Sequence, residues 1–138
     1  MLTGTIIQMK VPFLRGKDYK GETTPLSSVS ASSTMASCSF YYCTSTSYGG
    51  AISCSSVSTV SVLACTFSNC QASSYGGAIY SSSTASLNVE GSSFTFCKAT
   101  LKPSYTSGGG AILYSGNKDS TTFYMSGCSI IGCITYYD

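Results

Sequence analysis

Cys65-Thr66-Phe67-Ser68-Asn69-Cys70-Gln71-Ala72-Ser73-Ser74-Tyr75-Gly76-Gly77-Ala78-Ile79 holds two marks that recur along the chain. The second mark, Gly76-Gly77-Ala78-Ile79, stands earlier as Gly49-Gly50-Ala51-Ile52 and later as Gly109-Gly110-Ala111-Ile112. The first, Cys65 to Cys70, stands earlier as Cys38-Ser39-Phe40-Tyr41-Tyr42-Cys43. It returns as Ser92-Ser93-Phe94-Thr95-Phe96-Cys97, and again as Cys128-Ser129-Ile130-Ile131-Gly132-Cys133. The steps from Gly49 to Gly76, from Cys38 to Cys65 and from Cys65 to Ser92 are equal, whereas those from Gly76 to Gly109 and from Ser92 to Cys128 are longer. Ahead of the later copies apolar residues alternate: Val60 and Val62, then Leu87 and Val89, then Phe123 and Met125. A period of two, carried by β-branched and aromatic residues, predicts strands. The Gly pairs and the abundant Ser disfavour helix.

A unit as short as the step from Cys38 to Cys65, with two or three short strands, buries too little apolar surface to fold alone. The copies are therefore expected to stack and share one core. The architecture this predicts is all-β: a parallel β-helix of about four coils, each about 4.8 Å from the next. Low charge suits it, because stacking sets equivalent positions directly above one another, where like charges repel. The longer steps put extra residues around Lys98-Ala99-Thr100-Leu101-Lys102-Pro103 and Ser115-Gly116-Asn117-Lys118-Asp119. Both read as insertions in turns, which stacked repeats tolerate. Residues 27–138 are read as the repeats. Residues 1–26 differ in composition and read as a cap over the open end, a linker, or an upstream coil with decayed motifs. Met1 to Lys10 lacks the basic start, apolar run and cleavage site of a secretion signal, and Asp138 follows a motif with no sign of a cap. The chain is therefore expected to be a fragment of a longer solenoid.

Composition narrows the function classes. Of 138 residues only 9% are charged, the net charge is +2, and there is no His or Trp. That balance offers no basic patch for nucleic acid. The 43% hydrophobic content is too high for ordinary disorder, and no run approaches the roughly 20 apolar residues of a membrane-spanning helix. The chain carries 29 Ser, 16 Thr and 11 Tyr. Its eight Cys lean towards an oxidising, extracellular setting.

The paired marks G-G-A-[ILV] and F-x-x-N, carried here from Ser33 to Tyr137, resemble the polymorphic outer-membrane-protein repeats of chlamydiae and related adhesin-like surface proteins. Cys-rich versions in large surface proteins of protists are similar. The resemblance implies a right-handed single-stranded parallel β-helix, a pectin-lyase-like solenoid, displayed on the cell surface and acting in adhesion. Cys43, Cys70, Cys97 and Cys133 stand where the family has Asn, Ile130 replaces Phe, and no autotransporter barrel follows.

At the individual positions, Gly49-Gly50, Gly76-Gly77 and Gly109-Gly110 lack the strand-to-helix setting and the Lys of a phosphate loop. They read as tight corners where a positive φ or close backbone approach excludes a Cβ. Ala51, Ala78 and Ala111 are expected beneath the next coil, and Ile52, Ile79 and Ile112 in the core. Phe40, Phe67, Phe94 and Ile130 share one repeat position and are expected to form an interior column. Tyr41, Tyr42, Tyr48, Tyr75, Tyr136 and Tyr137 are the candidates for surface contact. The cysteines fall in columns: Cys38, Cys65 and Cys128; Cys43, Cys70, Cys97 and Cys133; and Cys54 alone. Disulfides pairing Cys38 with Cys43, Cys65 with Cys70 and Cys128 with Cys133 are one reading, leaving Cys54 and Cys97 over. Buried thiols filling a narrow corner are the other, and spacing does not choose between them. The C-x-x-x-x-C spacing without His is no zinc pattern, so no metal or other cofactor is expected.

Catalysis needs titratable groups within reach of one another. The five carboxylates, Asp18, Glu22, Glu90, Asp119 and Asp138, share no repeat position, and Arg15 is the single Arg. The expectation is a non-enzymatic structural or adhesive module, extracellular or on the cell surface. Its contacts would be other proteins or cell-surface glycans, with end-to-end or lateral self-association. Two alternatives are a non-catalytic part of a carbohydrate-active β-helix enzyme and an ice- or glycan-binding module.

Overall fold

The computed structural model describes residues 13–21, 26–29, 32–55, 59–84, 86–101, 108–116 and 121–137. Their regular structure is all β-strand. A first pass of the chain supplies β1 (Phe13–Arg15), β2 (Asp18–Lys20) and β3 (Leu26–Val29). The second holds β4 (Ser33–Ala36), β5 (Ser39–Tyr41), β6 (Thr44–Ser45) and β7 (Ile52–Ser55). The third holds β8 (Thr59–Leu63), β9 (Thr66–Ser68), β10 (Gln71–Ala72) and β11 (Ile79–Ser82). The fourth holds β12 (Ser86–Glu90), β13 (Ser93–Thr95), β14 (Lys98–Leu101) and β15 (Ile112–Ser115). The last supplies β16 (Thr122–Ser126), β17 (Ser129–Ile131) and β18 (Ile134–Tyr137).

These strands form four parallel sheets, ordered β1-β4-β8-β12-β16, β2-β5-β9-β13-β17, β6-β10-β14-β18 and β3-β7-β11-β15. The chain leaves a sheet, contributes to the others, and returns beside the strand it left. Register follows the sequence marks. Phe40 pairs with Phe67, Phe67 with Phe94 and Phe94 with Ile130. Ile79 pairs with both Ile52 and Ile112, although the two intervals differ in length.

Alternation decides which face is buried. Val60, Val62, Leu87 and Val89 are fully buried while Ser61 and Asn88 between them are not. Phe40, Phe67 and Phe94 are also fully buried, with ring centroids 4.8 and 4.7 Å apart and planes within 1° of parallel. That separation is the strand spacing itself, so hydrogen bonding along the sheet sets the aromatic stack. Burying each ring contributes on the order of 3 kcal/mol.

Three expectations are adjusted. Lys98-Ala99-Thr100-Leu101 is not part of a turn insertion but strand β14, paired with Gln71-Ala72 on one side and Ile134–Tyr137 on the other. Its alternation explains this, since Ala99 and Leu101 are buried between Lys98 and Thr100. Lys102, Pro103 and Asn117 to Asp119 lie outside the described residues, whereas Ser115 ends β15. Ile130 keeps its register in the Phe column but is 52% exposed, because β17 is an edge strand. In the segment read as cap, linker or decayed coil, β1 and β2 pair in parallel with β4 and β5, and Tyr19 stacks on Phe40 at 5.1 Å. Residues 1–12 lie outside the described residues.

Candidate functional site

The Gly-Gly-Ala-Ile marks sit on the buried side. Gly49 and Gly76 take positive φ, +58° and +63°. The second glycine of each pair faces the neighbouring pass: a Cβ on Gly50 would lie 2.7 Å from the Gln71 nitrogen, and one on Gly77 2.7 Å from that of Lys98. The same holds for Gly110, 2.6 Å from the nitrogen of Ile134. Ala51, Ala78 and Ala111 are buried, as are Ile52 and Ile79, while Ile112 on edge strand β15 is half-buried.

Two corners of every pass share a device that the sequence marks do not reveal. One residue adopts a left-handed backbone, and from the second pass onward the next points inward. At the first corner the left-handed residues are Gly16, Ser37, Ala64, Gly91 and Gly127; at the second they are Gly21, Tyr42, Asn69, Phe96 and Gly132. The cysteine columns follow immediately. The Cys65 thiol reaches the carbonyls of Leu63 (3.3 Å) and Met35 (3.6 Å), and Cys70 that of Phe40 (3.5 Å). Ser92 replaces Cys in the first column, and its hydroxyl lies 3.0 Å from the Glu90 carbonyl while accepting the Cys65 N–H at 3.0 Å. All eight cysteines are free thiols, so the pairs Cys38–Cys43, Cys65–Cys70 and Cys128–Cys133 are unbonded.

Four of these thiols are poorly disposed to ionise. Burial pushes Cys54, Cys65 and Cys133 each up to about 11. Hydrogen bonding with Cys43 and Cys97, then burial, raises Cys70, and the same hydrogen bond with Cys70 lowers Cys97. Thiolate is the reactive form, so Cys54, Cys65 and Cys70 act as small buried side chains with a weak donor. Among the described residues no group of three His, Cys, Asp or Glu is placed to hold a metal ion, and the carboxylates Asp18 and Glu90 stand in different sheets.

The outward side carries the polar and aromatic groups. Tyr48 and Tyr75 stack at 5.6 Å, and Tyr80 lies 4.7 Å from Tyr48. Tyr41 and Tyr42 border a hollow of about 400 Å³ with Asp18 and Lys20. On the other side of Tyr42 lies a second hollow of about 320 Å³, lined by Tyr42, Thr44, Asn69, Gln71, Phe96 and Lys98. Register builds it: Thr44, Gln71 and Lys98 are directly paired in β6, β10 and β14, and Tyr42, Asn69 and Phe96 are the left-handed residues just before them. Tyr42 and Phe96 are each 57% exposed. A bulky residue in the left-handed region is an outlier, disfavoured by about 1–2 kcal/mol. Sequence reasoning singled out Tyr42 and missed Asn69, Gln71 and Phe96. The signal was their shared offset from the Phe position, the same for Tyr42, Asn69 and Phe96 and slightly larger for Gln71. Tyr136 is exposed on β18.

No helix among the described residues is long and apolar enough to cross a membrane. No protein-family model matches the chain, and no curated protein or solved structure matches it.

Proposed function

We propose that the chain is a right-handed single-stranded parallel β-helix, similar to the polymorphic outer-membrane-protein repeats, serving as a structural and adhesive module at the cell surface. Parallel pairing in all four sheets, with the chain returning to each in turn, supports a pectin-lyase-like solenoid. The observation that carries the functional reading is the division of the side chains. The interior is mainly apolar residues and thiols, with a few Ser and Thr among them, while the outward columns of the middle passes are mainly Tyr, Ser, Thr and amides, with two large aromatics held half-exposed in disfavoured backbone. Such a surface suits extended contacts with proteins or glycans, whose strength comes from repetition. The scattered carboxylates favour binding over turnover.

Antibody labelling of intact against permeabilised cells tests the location. Retention of beads coated with the chain on mucin and on intact cells tests adhesion. Labelling confined to permeabilised cells, or cleavage of a polysaccharide by the purified chain, would refute the reading.

A further inference from the structure

We infer that the groove between Tyr42 and Phe96 is a binding site for a neutral glycan of pyranose units, an assignment that rests on the adhesive reading above and gives it a ligand. Three features converge there. First, Gly21, Asn69 and Gly132 fill the same left-handed column as Tyr42 and Phe96. Gly and Asn adopt that backbone readily, whereas Tyr and Phe do so against both backbone preference and solvation. The flanking strands impose the conformation, and the large side chains it holds out unburied are where the contact surface is placed.

Second, the spacing suits a sugar chain. Tyr42 and Phe96 lie one pass to either side of Asn69, so two strand spacings, roughly 10 Å, separate them, which is the span of a disaccharide. The C–H faces of two consecutive pyranose rings pack on such aromatic platforms. Third, amides lie between the rings. Asn69 Nδ2 donates to Ser68 Oγ at 2.9 Å, which orients the amide and leaves its carbonyl oxygen and second N–H for ligand. The Gln71 side-chain amide has no protein partner among the described residues. Paired donor and acceptor atoms of an amide match vicinal sugar hydroxyls. The groove lining holds one charged group, Lys98, and no carboxylate. It therefore binds without the acid pair that glycoside hydrolysis requires.

The probes are triacetylchitotriose, cellotriose, mannotriose and a sialylated trisaccharide, titrated calorimetrically against the whole chain. At least one neutral triose is expected to bind. Tyr42→Gly and Phe96→Gly are each expected to weaken it by roughly tenfold or more, with Phe96→Tyr retaining affinity and Glu90→Gln, exposed in another sheet, neutral. Glycine already stands elsewhere in that column, so both Gly variants should melt at or above the wild-type temperature, separating lost binding from lost fold. Three results would overturn the inference: no binding of any neutral triose, binding that survives both Gly variants, or binding of the sialylated probe alone. Bead adhesion to periodate-treated cells separates the two readings. Adhesion that persists after oxidation and in the Tyr42→Gly/Phe96→Gly double variant defeats the glycan site and leaves the adhesive module standing. Absence of adhesion to any surface defeats the module irrespective of the trioses.

Discussion

The rings of Phe67 and Phe94 lie 4.7 Å apart and 1° from parallel, because their strands, one full repeat apart in sequence, pair residue for residue. An isolated aromatic pair prefers an offset or edge-on arrangement. Here backbone pairing overrides that preference and makes the column a load shared by every pass. Phe67, at the middle of the column with Phe40 and Phe94 on its two sides, leaves a void enclosed by the stack when it is lost. Phe67→Ala should lower stability by about 3–5 kcal/mol, read from urea denaturation midpoints, and Phe67→Leu by less. Equal midpoints for wild type and Phe67→Ala would show that the column is not a core.

Two glycines should respond in opposite measure to the same substitution. A Cβ on Gly77 meets the backbone of Lys98, which no side-chain rotation relieves, so Gly77→Ala should cost about 3 kcal/mol or more. Gly91, at φ +56°, has its nearest neighbour, Ala64 Cα, at 4.0 Å, and Ala64 itself adopts φ +49° in that column. Gly91→Ala should therefore cost only about 1 kcal/mol. Thermal melts of the two variants measure the ranking, and a reversed order would contradict the packing.

The buried thiol of Cys54 predicts loss of stability in alkali. Burial raises the folded Cys54 thiol to about 11 from an ordinary 9.0, so the unfolded chain releases its proton first. This contribution to stability is complete below pH 9 and is lost as pH rises through 9 towards 11, by up to about 3 kcal/mol. Cys65 and Cys133 shift in the same direction. Urea midpoints should fall between pH 8.5 and 10.5 by less in Cys54→Ala than in wild type, in line with roughly one titrating thiol removed. Parallel profiles for the two would argue against a buried neutral thiol.

The last pass exposes an apolar edge. Ile130, Ile131 and Ile134 are each more than half exposed, and the open core end between Gly110, Met125 and Ile130 forms a hollow of about 450 Å³. Open, apolar sheet edges invite pairing with another chain. Residues 1–138 should self-associate at high micromolar concentration in sedimentation velocity, and Ile130→Lys with Ile134→Lys should shift the population to monomer. A wild-type chain that stays monomeric would contradict this.

Several features were legible before any coordinates. The recurrence of the two marks and the alternation of Val60 and Val62, or Leu87 and Val89, carry strand identity, parallel stacking and the buried face. The Phe column, the alternating aliphatic residues and most of the cysteines repeat their chemistry at the same offset, since the space they fill repeats. Legibility failed where that constraint is absent. Lys98-Ala99-Thr100-Leu101 reads as polar insertion because its charge and its neighbouring Pro dominate local inspection, yet pairing on both sides draws it into a sheet.

Ser37, Ala64 and Gly91, or Tyr42, Asn69 and Phe96, share a left-handed backbone and no side-chain chemistry. No local preference announces that conformation in Ser, Tyr or Phe; strands fixed before and after the corner impose it. The groove is likewise a property of stacking alone. Tyr42, Asn69 and Phe96 stand a full repeat apart from one another in sequence, and only the register of three successive passes sets two rings either side of an amide. The sequence by itself thus determined most of what fills the interior, because a repeated space favours a similar residue at successive levels. Tertiary structure decided what the outside presents, because solvent makes no such demand.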